Sequence, residues 1–155
     1  MSSPVHHDLR NLPQAMARYA ARLAGFYPDD PLEALAVDEA MDCMNEVVSK
    51  FPWMAATEEE KKSKREEFQK TTMKQYADFS EKKIQLAGGS SFASSPNVAD
   101  VMLMTQVAPI ESGNYDYIDK DFYAAYPGIT ATCKTIKETL MANENVGAYM
   151  KSREK

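Results

Sequence analysis

The stretch "SSPNVADVMLM", residues 94–104, carries the signal that decides the fold. Asn97 is a favourable N-cap residue whose side chain can accept a hydrogen bond from the backbone N–H of Asp100. The Asp100 carboxylate can reach back to the N–H of Asn97, which completes a capping box. The residues behind this cap, "VMLMTQVAPI" at 101–110, are apolar nearly all round. The pattern therefore predicts a central helix that is buried on every side.

The rest of the chain also shows helical signals. Caps, stops and apolar periodicity predict further helices at residues 12–23, about 31–50, 58–87, 127–141 and 146–153, with a short helix inside 115–126. Apolar stripes on the first two helices include Met16, Tyr19, Leu23, Leu32, Leu35, Met41 and Met44. No convincing strand, internal repeat or low-complexity segment is found. We expect an all-α helical bundle over residues 12–155, preceded by an irregular N-terminal tail, residues 1–11.

Composition and charge narrow the classes of partner. The chain has 155 residues, a net charge of -5 and a pI of about 5.1. An acidic chain argues against nucleic acid or an anionic membrane as the main partner. No apolar run is long enough to span a bilayer, and Cys43 and Cys133 lack metal-type spacing. These features predict a protein of the reducing cytoplasm.

The helix predicted for Asp30–Lys50 carries an acidic stripe beside its apolar one. Asp38, Asp42, Asn45 and Glu46 recur at helical spacing on one face. Such a face can simply be solvated. It can also meet a second subunit, a cation or the amino group of a ligand, because one helical turn can supply two or three oxygen ligands. The spacing alone leaves these alternatives open.

Few residues suggest chemistry of their own. The sequence has no nucleotide-binding glycine fingerprint and no P-loop, and neither cysteine has a histidine placed as a base. We therefore predict no catalytic residue in these 155 positions. Trp53, the sole tryptophan, is either a core or interface anchor or an aromatic wall of an apolar ligand site. The ten methionines fill the core or line an adaptable site.

Four motifs, in order along the chain, resemble the C-terminal helical domain of glutathione transferases. Ala15-Met16-x-Arg18-Tyr19 is similar to the family's A-I-x-R-Y helix, and "SSPNVADVMLM" resembles its S/T-x-x-D folding motif, with Asn97 in place of Ser or Thr. "FYAAYPGI…NENVGAYMKSR" is similar to the closing pattern. Residues 37–53 look most like the sigma class, and within it the glutathione-dependent prostaglandin D synthases.

The resemblance implies roles for named residues. The Asp30–Lys50 helix would lie at a homodimer interface, and Glu46 would reach the amino group of glutathione bound to the other subunit. Asp42, Asn45 and Glu46 match three acidic positions that can hold a divalent cation, although Asn replaces the middle acid and Glu replaces Asp at the third. The pocket for a hydrophobic co-substrate would be lined by Val48, Trp53, Met102 and Gln106.

The resemblance also implies a missing part. Members of the family begin with a thioredoxin-like domain that binds most of the glutathione and supplies the catalytic Tyr or Ser, and this chain has no room for it. We expect glutathione binding by the isolated chain to be weak or absent, and an apolar patch where that domain would pack. Two hypotheses follow: a sigma-like glutathione transferase represented by its co-substrate-binding domain, or a non-catalytic helical module that binds apolar ligands or a protein partner.

Overall fold

The computed structural model describes the backbone of residues 12–153 and the side chains of residues 14–152. Seven α-helices and no strand occur in that range: α1 Leu12–Leu23, α2 Pro31–Lys50, α3 Glu58–Phe68, α4 Lys74–Leu86, α5 Val98–Glu111, α6 Pro127–Ala142 and α7 Glu144–Arg153. A π-helical turn, Gln69–Met73, joins α3 to α4, and a 3₁₀ turn, Phe122–Ala125, precedes α6. The predicted all-α bundle is confirmed. The predicted irregular tail, residues 1–11, lies outside the described residues.

The cap that begins α5 forms as predicted. Asn97 Oδ1 accepts hydrogen bonds from the N–H groups of Ala99 and Asp100, and Asp100 Oδ2 accepts one from the N–H of Asn97 at 2.9 Å. Two further donors were not predicted: the Ser91 hydroxyl lies 2.8 Å from Asp100 Oδ2, and the Phe92 N–H lies 3.0 Å from Asp100 Oδ1. Asp100 therefore fixes the preceding loop as well as the helix.

Helix α5 is central, as its composition predicts, but it is not buried on every side, because Thr105, Ala108 and Glu111 are exposed. It packs against α1, α2 and α6. Its side chains at Leu103 and Val107 are almost completely buried, together with Met41 of α2 and Ile129 of α6. The packing of α5 against these neighbours determines which face of α5 meets α2. It therefore also determines which α5 side chains reach the space between these two helices.

The start of α6 is capped by a distant side chain. Pro127 occupies the first helical position, so the first free N–H groups are those of Gly128 and Ile129. Both donate to the carboxylate of Glu81 on α4, at 2.9 and 3.0 Å. A Cβ at Gly128 would lie 2.9 Å from Glu81 Oε1 and from Gln85 Nε2, so any other residue here would require these side-chain ends to shift. The contact joins two helices that are more than forty residues apart in sequence.

The segment predicted as one helix over 58–87 is divided by the π-helical turn. The Thr71 hydroxyl donates to the Glu67 carbonyl at 2.7 Å, the acceptor that the Thr71 N–H would use in a regular α-helix. The hydroxyl and the backbone N–H of Thr71 compete for this carbonyl, and a wider π-helical turn relieves the competition. The turn leaves Met73 buried in the core and allows the Gln69 side chain to accept from the Asp119 N–H at 2.6 Å.

Local predictions at the first two helices need correction. Five side chains of the predicted apolar stripes are exposed: Met16, Tyr19, Leu23, Leu32 and Leu35. Helix α1 instead meets α2 through polar contacts, because Gln14 Nε2 donates to the Met41 carbonyl at 3.1 Å and Arg18 pairs with α2 carboxylates. The spacing of Asp30 and Glu33 also predicts that Glu33 reaches back to the N-cap of its own helix in capping-box style, and this prediction is wrong. Its carboxylate accepts from the Ser94 hydroxyl at 3.0 Å instead.

Candidate functional site

An apolar cavity of about 170 Å³ lies where α2, α3 and α5 meet. It is lined by Val47, Val48, Phe51, Trp53, Phe68, Met73, Thr105, Gln106, Ile110, Tyr115 and Tyr123. Three of the four residues predicted to contact a hydrophobic co-substrate, Val48, Trp53 and Gln106, are in this set. The fourth, Met102, packs against the hydrophobic core one helical turn earlier, and its predicted role in ligand binding stays a prediction.

The end of α2 places Trp53 at the mouth of the cavity. Helix α2 stops at Lys50 before Pro52, since proline disfavours helical conformation in the residue before it. The chain then folds back, so that Trp53 Nε1 donates to the Val48 carbonyl at 3.2 Å. The Trp53 and Phe51 rings lie 4.5 Å apart between centroids. Trp53 remains 57% exposed, which leaves its ring free to contact a ligand.

An aromatic wall completes the cavity, and sequence reasoning had not assigned it to a site. The Phe51 ring lies 5.1 Å from that of Tyr115 and 5.3 Å from that of Phe68, in edge-on contacts. The Arg65 guanidinium stacks 5.1 Å from the Phe51 centroid, and its Nη1 donates to the Asp116 carbonyl. For Tyr115, the signal in the sequence is the aromatic composition of the segment after α5.

Gln106 provides polarity inside this apolar space. Its Nε2 donates to the Met44 carbonyl at 3.0 Å, across from α5 to α2. Because that carbonyl can only accept, the amide is oriented and its Oε1 is left as an acceptor. The site therefore combines an apolar body with a fixed hydrogen-bonding group, which is the usual make-up of a small-molecule site.

The acidic stripe of α2 is largely paired within the chain. Arg18 Nε lies 2.7 Å from Asp38 Oδ1, and Arg18 Nη2 lies 3.1 Å from Asp42 Oδ1. Glu46 forms an i,i+4 pair with Lys50 at 2.5 Å, and this hydrogen bond lowers the pKa of Glu46. Thus two of the predicted metal ligands, Asp42 and Glu46, each face a cation of their own chain.

The predicted divalent-cation site, Asp42, Asn45 and Glu46, gains no support from the geometry. Among the residues that the structure describes, no three His, Cys, Asp or Glu side chains come close enough to hold a metal ion together. A cation at Asp42 would compete with the Arg18 guanidinium. The site stays a prediction carried by the resemblance alone.

Comparison with known protein families identifies the family to which the chain belongs. The sequence model of the family described as "Glutathione S-transferase, C-terminal domain" matches residues 41–153. The chain belongs to this family. The match begins inside α2 and includes every later helix, and with them the whole lining of the cavity. No curated protein matches the chain closely enough to count as a relative.

A second surface of this glutathione S-transferase C-terminal domain is also apolar. A groove of about 620 Å³ lies between α1, α5, α6 and α7 and is lined by Ala17, Ala20, Ala21, Ala24, Phe26, Val98, Val101, Thr139, Leu140, Asn143 and Val146. The resemblance led us to expect an apolar patch on the first helix and on the helix that begins at Val98. Both helices contribute to the groove. Within residues 12–153, no helix has both the length and the hydropathy that a bilayer crossing requires.

Proposed function

We propose that this chain is the co-substrate-binding part of a sigma-like glutathione transferase, which joins glutathione to hydrophobic electrophiles or isomerises them with its help. The observation that carries the proposal is the cavity between α2, α3 and α5. It is apolar, it is walled by aromatic rings, and Val48, Trp53 and Gln106 line it as the resemblance implies. Glutathione itself would be held mainly by a thioredoxin-like domain.

That domain would cover the apolar groove on α1 and α5. The groove offers alanines and no charged side chain, so a partner surface there would gain from apolar burial. A large uncovered apolar surface is uncommon on an isolated monomer. In the second hypothesis, a non-catalytic helical module, the same groove would receive a different protein partner and the cavity an apolar ligand.

A charge at the mouth of the cavity should abolish most binding of apolar molecules. The Val48→Asp variant places a carboxylate beside the Trp53 ring, and desolvating that charge opposes the entry of an apolar ligand. We expect the affinity for naphthalene, measured by isothermal titration calorimetry on the full chain, to fall about tenfold.

Val146→Asp is the matched control. Val146 is a similarly exposed valine, but it lines the groove between α1 and α7 and not the cavity. Naphthalene affinity should be unchanged in this variant. If Val146→Asp lowers the affinity for naphthalene more than Val48→Asp does, naphthalene binds in the groove, and the proposal is contradicted.

A second prediction concerns Glu46 and the α2 face. We propose that this face meets α2 of a second copy and that the ionised Glu46 carboxylate exchanges Lys50 for the amino group of glutathione on the partner subunit. Glu46→Lys would place a cation beside Lys50 and oppose both contacts. Sedimentation equilibrium should show weaker self-association than in the wild type, while Glu67→Lys, an equivalent charge reversal on α3, should not. Identical sedimentation of the wild type and both variants would mean that the acidic stripe of α2 is a solvated helix face and not an interface.

A further inference from the structure

A second, smaller cavity of about 20 Å³ lies deeper than the apolar one and adjoins it. The two share Val47, Met73, Gln106 and Tyr123 in their linings. The remaining lining residues of this inner cavity are Cys43, Met44, Tyr76, Ala77, Ser80, Leu103 and Ile129. A volume of this size accommodates about one water-sized group, provided that polar partners are present.

Two hydroxyl groups in the inner cavity have no hydrogen-bond partner. Ser80 and Tyr123 are 6% and 7% exposed, and neither hydroxyl is bonded to any group of the described residues. Neither oxygen is among the enclosed, unpartnered atoms of the described side chains, which are Arg65 Nε and Thr132 Oγ1, so both hydroxyls remain accessible to a water-sized group. Gln106 adds an oriented acceptor, since its Nε2 is held by the Met44 carbonyl. Two lining residues of the inner cavity, Ser80 and Tyr123, thus carry hydroxyls without a partner among the described residues, and Gln106 offers an acceptor beside them.

The surroundings of the inner cavity disfavour a negative charge. Neither cavity has a Lys, Arg or His among the described residues that line it. Burial, and then the carboxylates of Glu39, Glu46 and Asp42, raise the pKa of the Cys43 thiol, and Lys83 opposes the rise. Burial likewise raises the pKa of Tyr123, so its hydroxyl stays protonated and can donate. Two cations contact lining residues, Arg65 at the Phe51 ring and Lys50 at the Tyr76 hydroxyl, but neither belongs to a lining itself. A carboxylate entering here would therefore lose its hydration without a cation in the lining to pair with.

We propose that the inner cavity is a subsite for one neutral oxygen of the ligand, so that the site selects apolar molecules that carry a hydroxyl or carbonyl group at the end that enters first. Ser80 and Tyr123 donate hydrogen bonds to that oxygen, and Gln106 accepts one where the ligand has a hydroxyl. The inference rests on the proposed function, because it assumes that the larger cavity receives the apolar body of the co-substrate. The inference adds to the proposed function that one end of the ligand carries a polar group and that this end enters the site first.

The test compares three ligands that differ at one position: naphthalene, 2-naphthol and 2-naphthoate. Calorimetry on the full chain measures their affinities for the wild type, Ser80→Ala and Tyr123→Phe. Each variant should lower the affinity for 2-naphthol about fivefold, the usual effect of one neutral hydrogen bond, and leave that for naphthalene within about twofold. In the wild type, 2-naphthoate should bind at least about tenfold more weakly than 2-naphthol.

Thr132→Val is the matched control. The Thr132 hydroxyl likewise has no partner, although it is fully enclosed, and Thr132 lines neither cavity. Its removal should leave all three affinities unchanged. Because the deleted hydroxyls bond to nothing in the free protein, none of these variants should impair folding.

The outcomes separate the two proposals. If naphthalene binds but 2-naphthol responds to neither variant, or if 2-naphthoate binds as tightly as 2-naphthol, the oxygen subsite is wrong while the apolar cavity stands. An equal loss for naphthalene and 2-naphthol would show that Ser80 and Tyr123 only shape the space, and would also overturn the subsite. If none of the three ligands binds the wild type, both the subsite and the proposed function are contradicted.

Discussion

Replacing Asp100 by alanine is expected to lower the free energy of unfolding by at least about 3 kcal/mol, the largest single effect that we predict. The carboxylate accepts from the N–H groups of Phe92 and Asn97 and from the Ser91 hydroxyl, and all four residues are buried. Alanine would leave these donors without a partner, at about 1 to 3 kcal/mol each before relaxation. Urea denaturation followed by far-ultraviolet circular dichroism would measure the loss.

Asp30→Ala is the control for this prediction. Asp30 has the same chemistry and also caps a helix, accepting from two backbone N–H groups, but at an exposed helix start where water can replace it. We expect a loss of about 1 kcal/mol there. Equal losses in the two variants would show that the burial of Asp100 adds nothing, and would contradict the account of the α5 cap.

Asp100 should also give the stability an unusual pH dependence. Burial raises the pKa of Asp100 to about 6, although hydrogen bonds from Ser91, Asn97 and Phe92 oppose the rise. Between the unfolded pKa of about 4 and the folded value, the folded chain binds a proton that the unfolded chain does not. The contribution of Asp100 is therefore fully present below pH 4 and declines as the pH rises through 6. The stability difference between the wild type and Asp100→Ala should be larger at pH 4 than at pH 7.

The second large effect is expected at Glu81, whose carboxylate caps α6 from α4. The Glu81→Ala variant leaves the N–H groups of Gly128 and Ile129 without their acceptor and removes a tie between the two helices. We expect a loss of about 2 kcal/mol, the upper range for an N-cap. Glu67→Ala, at an exposed site on α3, should change stability by less than about 0.5 kcal/mol.

The pH dependence at Glu81 should have the opposite sign. Burial tends to raise the pKa of Glu81, but hydrogen bonds from Gln85, Gly128 and Ile129 outweigh it and lower the pKa overall. A lowered folded pKa gives a contribution that is present above the unfolded value of about 4.3 and is lost as the pH falls through the folded one. The difference between the wild type and Glu81→Ala should therefore shrink on acidification, whereas the difference for Asp100→Ala should grow. A parallel pH response of the two variants would contradict this assignment of roles.

The comparison of Asp100 with Glu81 also shows how far sequence reasoning reaches. The capping box was predictable because Asn97 and Asp100 are three residues apart, and such local geometry is fixed by the helix itself. The cap on α6 was not predictable, because Glu81 is distant in sequence from Gly128 and meets it only after the bundle has packed.

The same limit applies to the site. Val48, Trp53 and Gln106 could be assigned from the resemblance, and all three line the cavity. The aromatic residues Phe68 and Tyr115 were not assigned to the site, since the path of the segment after α5 depends on tertiary contacts such as that of Lys61 with Asp116 at 2.7 Å. Periodicity identifies an amphipathic face, but does not say which neighbour covers it. The exposed stripe of α1 illustrates this directly.

The central claim is that the cavity between α2, α3 and α5 receives an apolar ligand. Nuclear magnetic resonance of the ¹⁵N-labelled full chain, titrated with naphthalene, tests it most directly. We predict saturable shifts that include the Trp53 indole N–H and the side-chain amide of Gln106, with little change at Ala20, Val101 and Val146 in the groove. Shifts that saturate in the groove and leave Trp53 and Gln106 unchanged would contradict the claim.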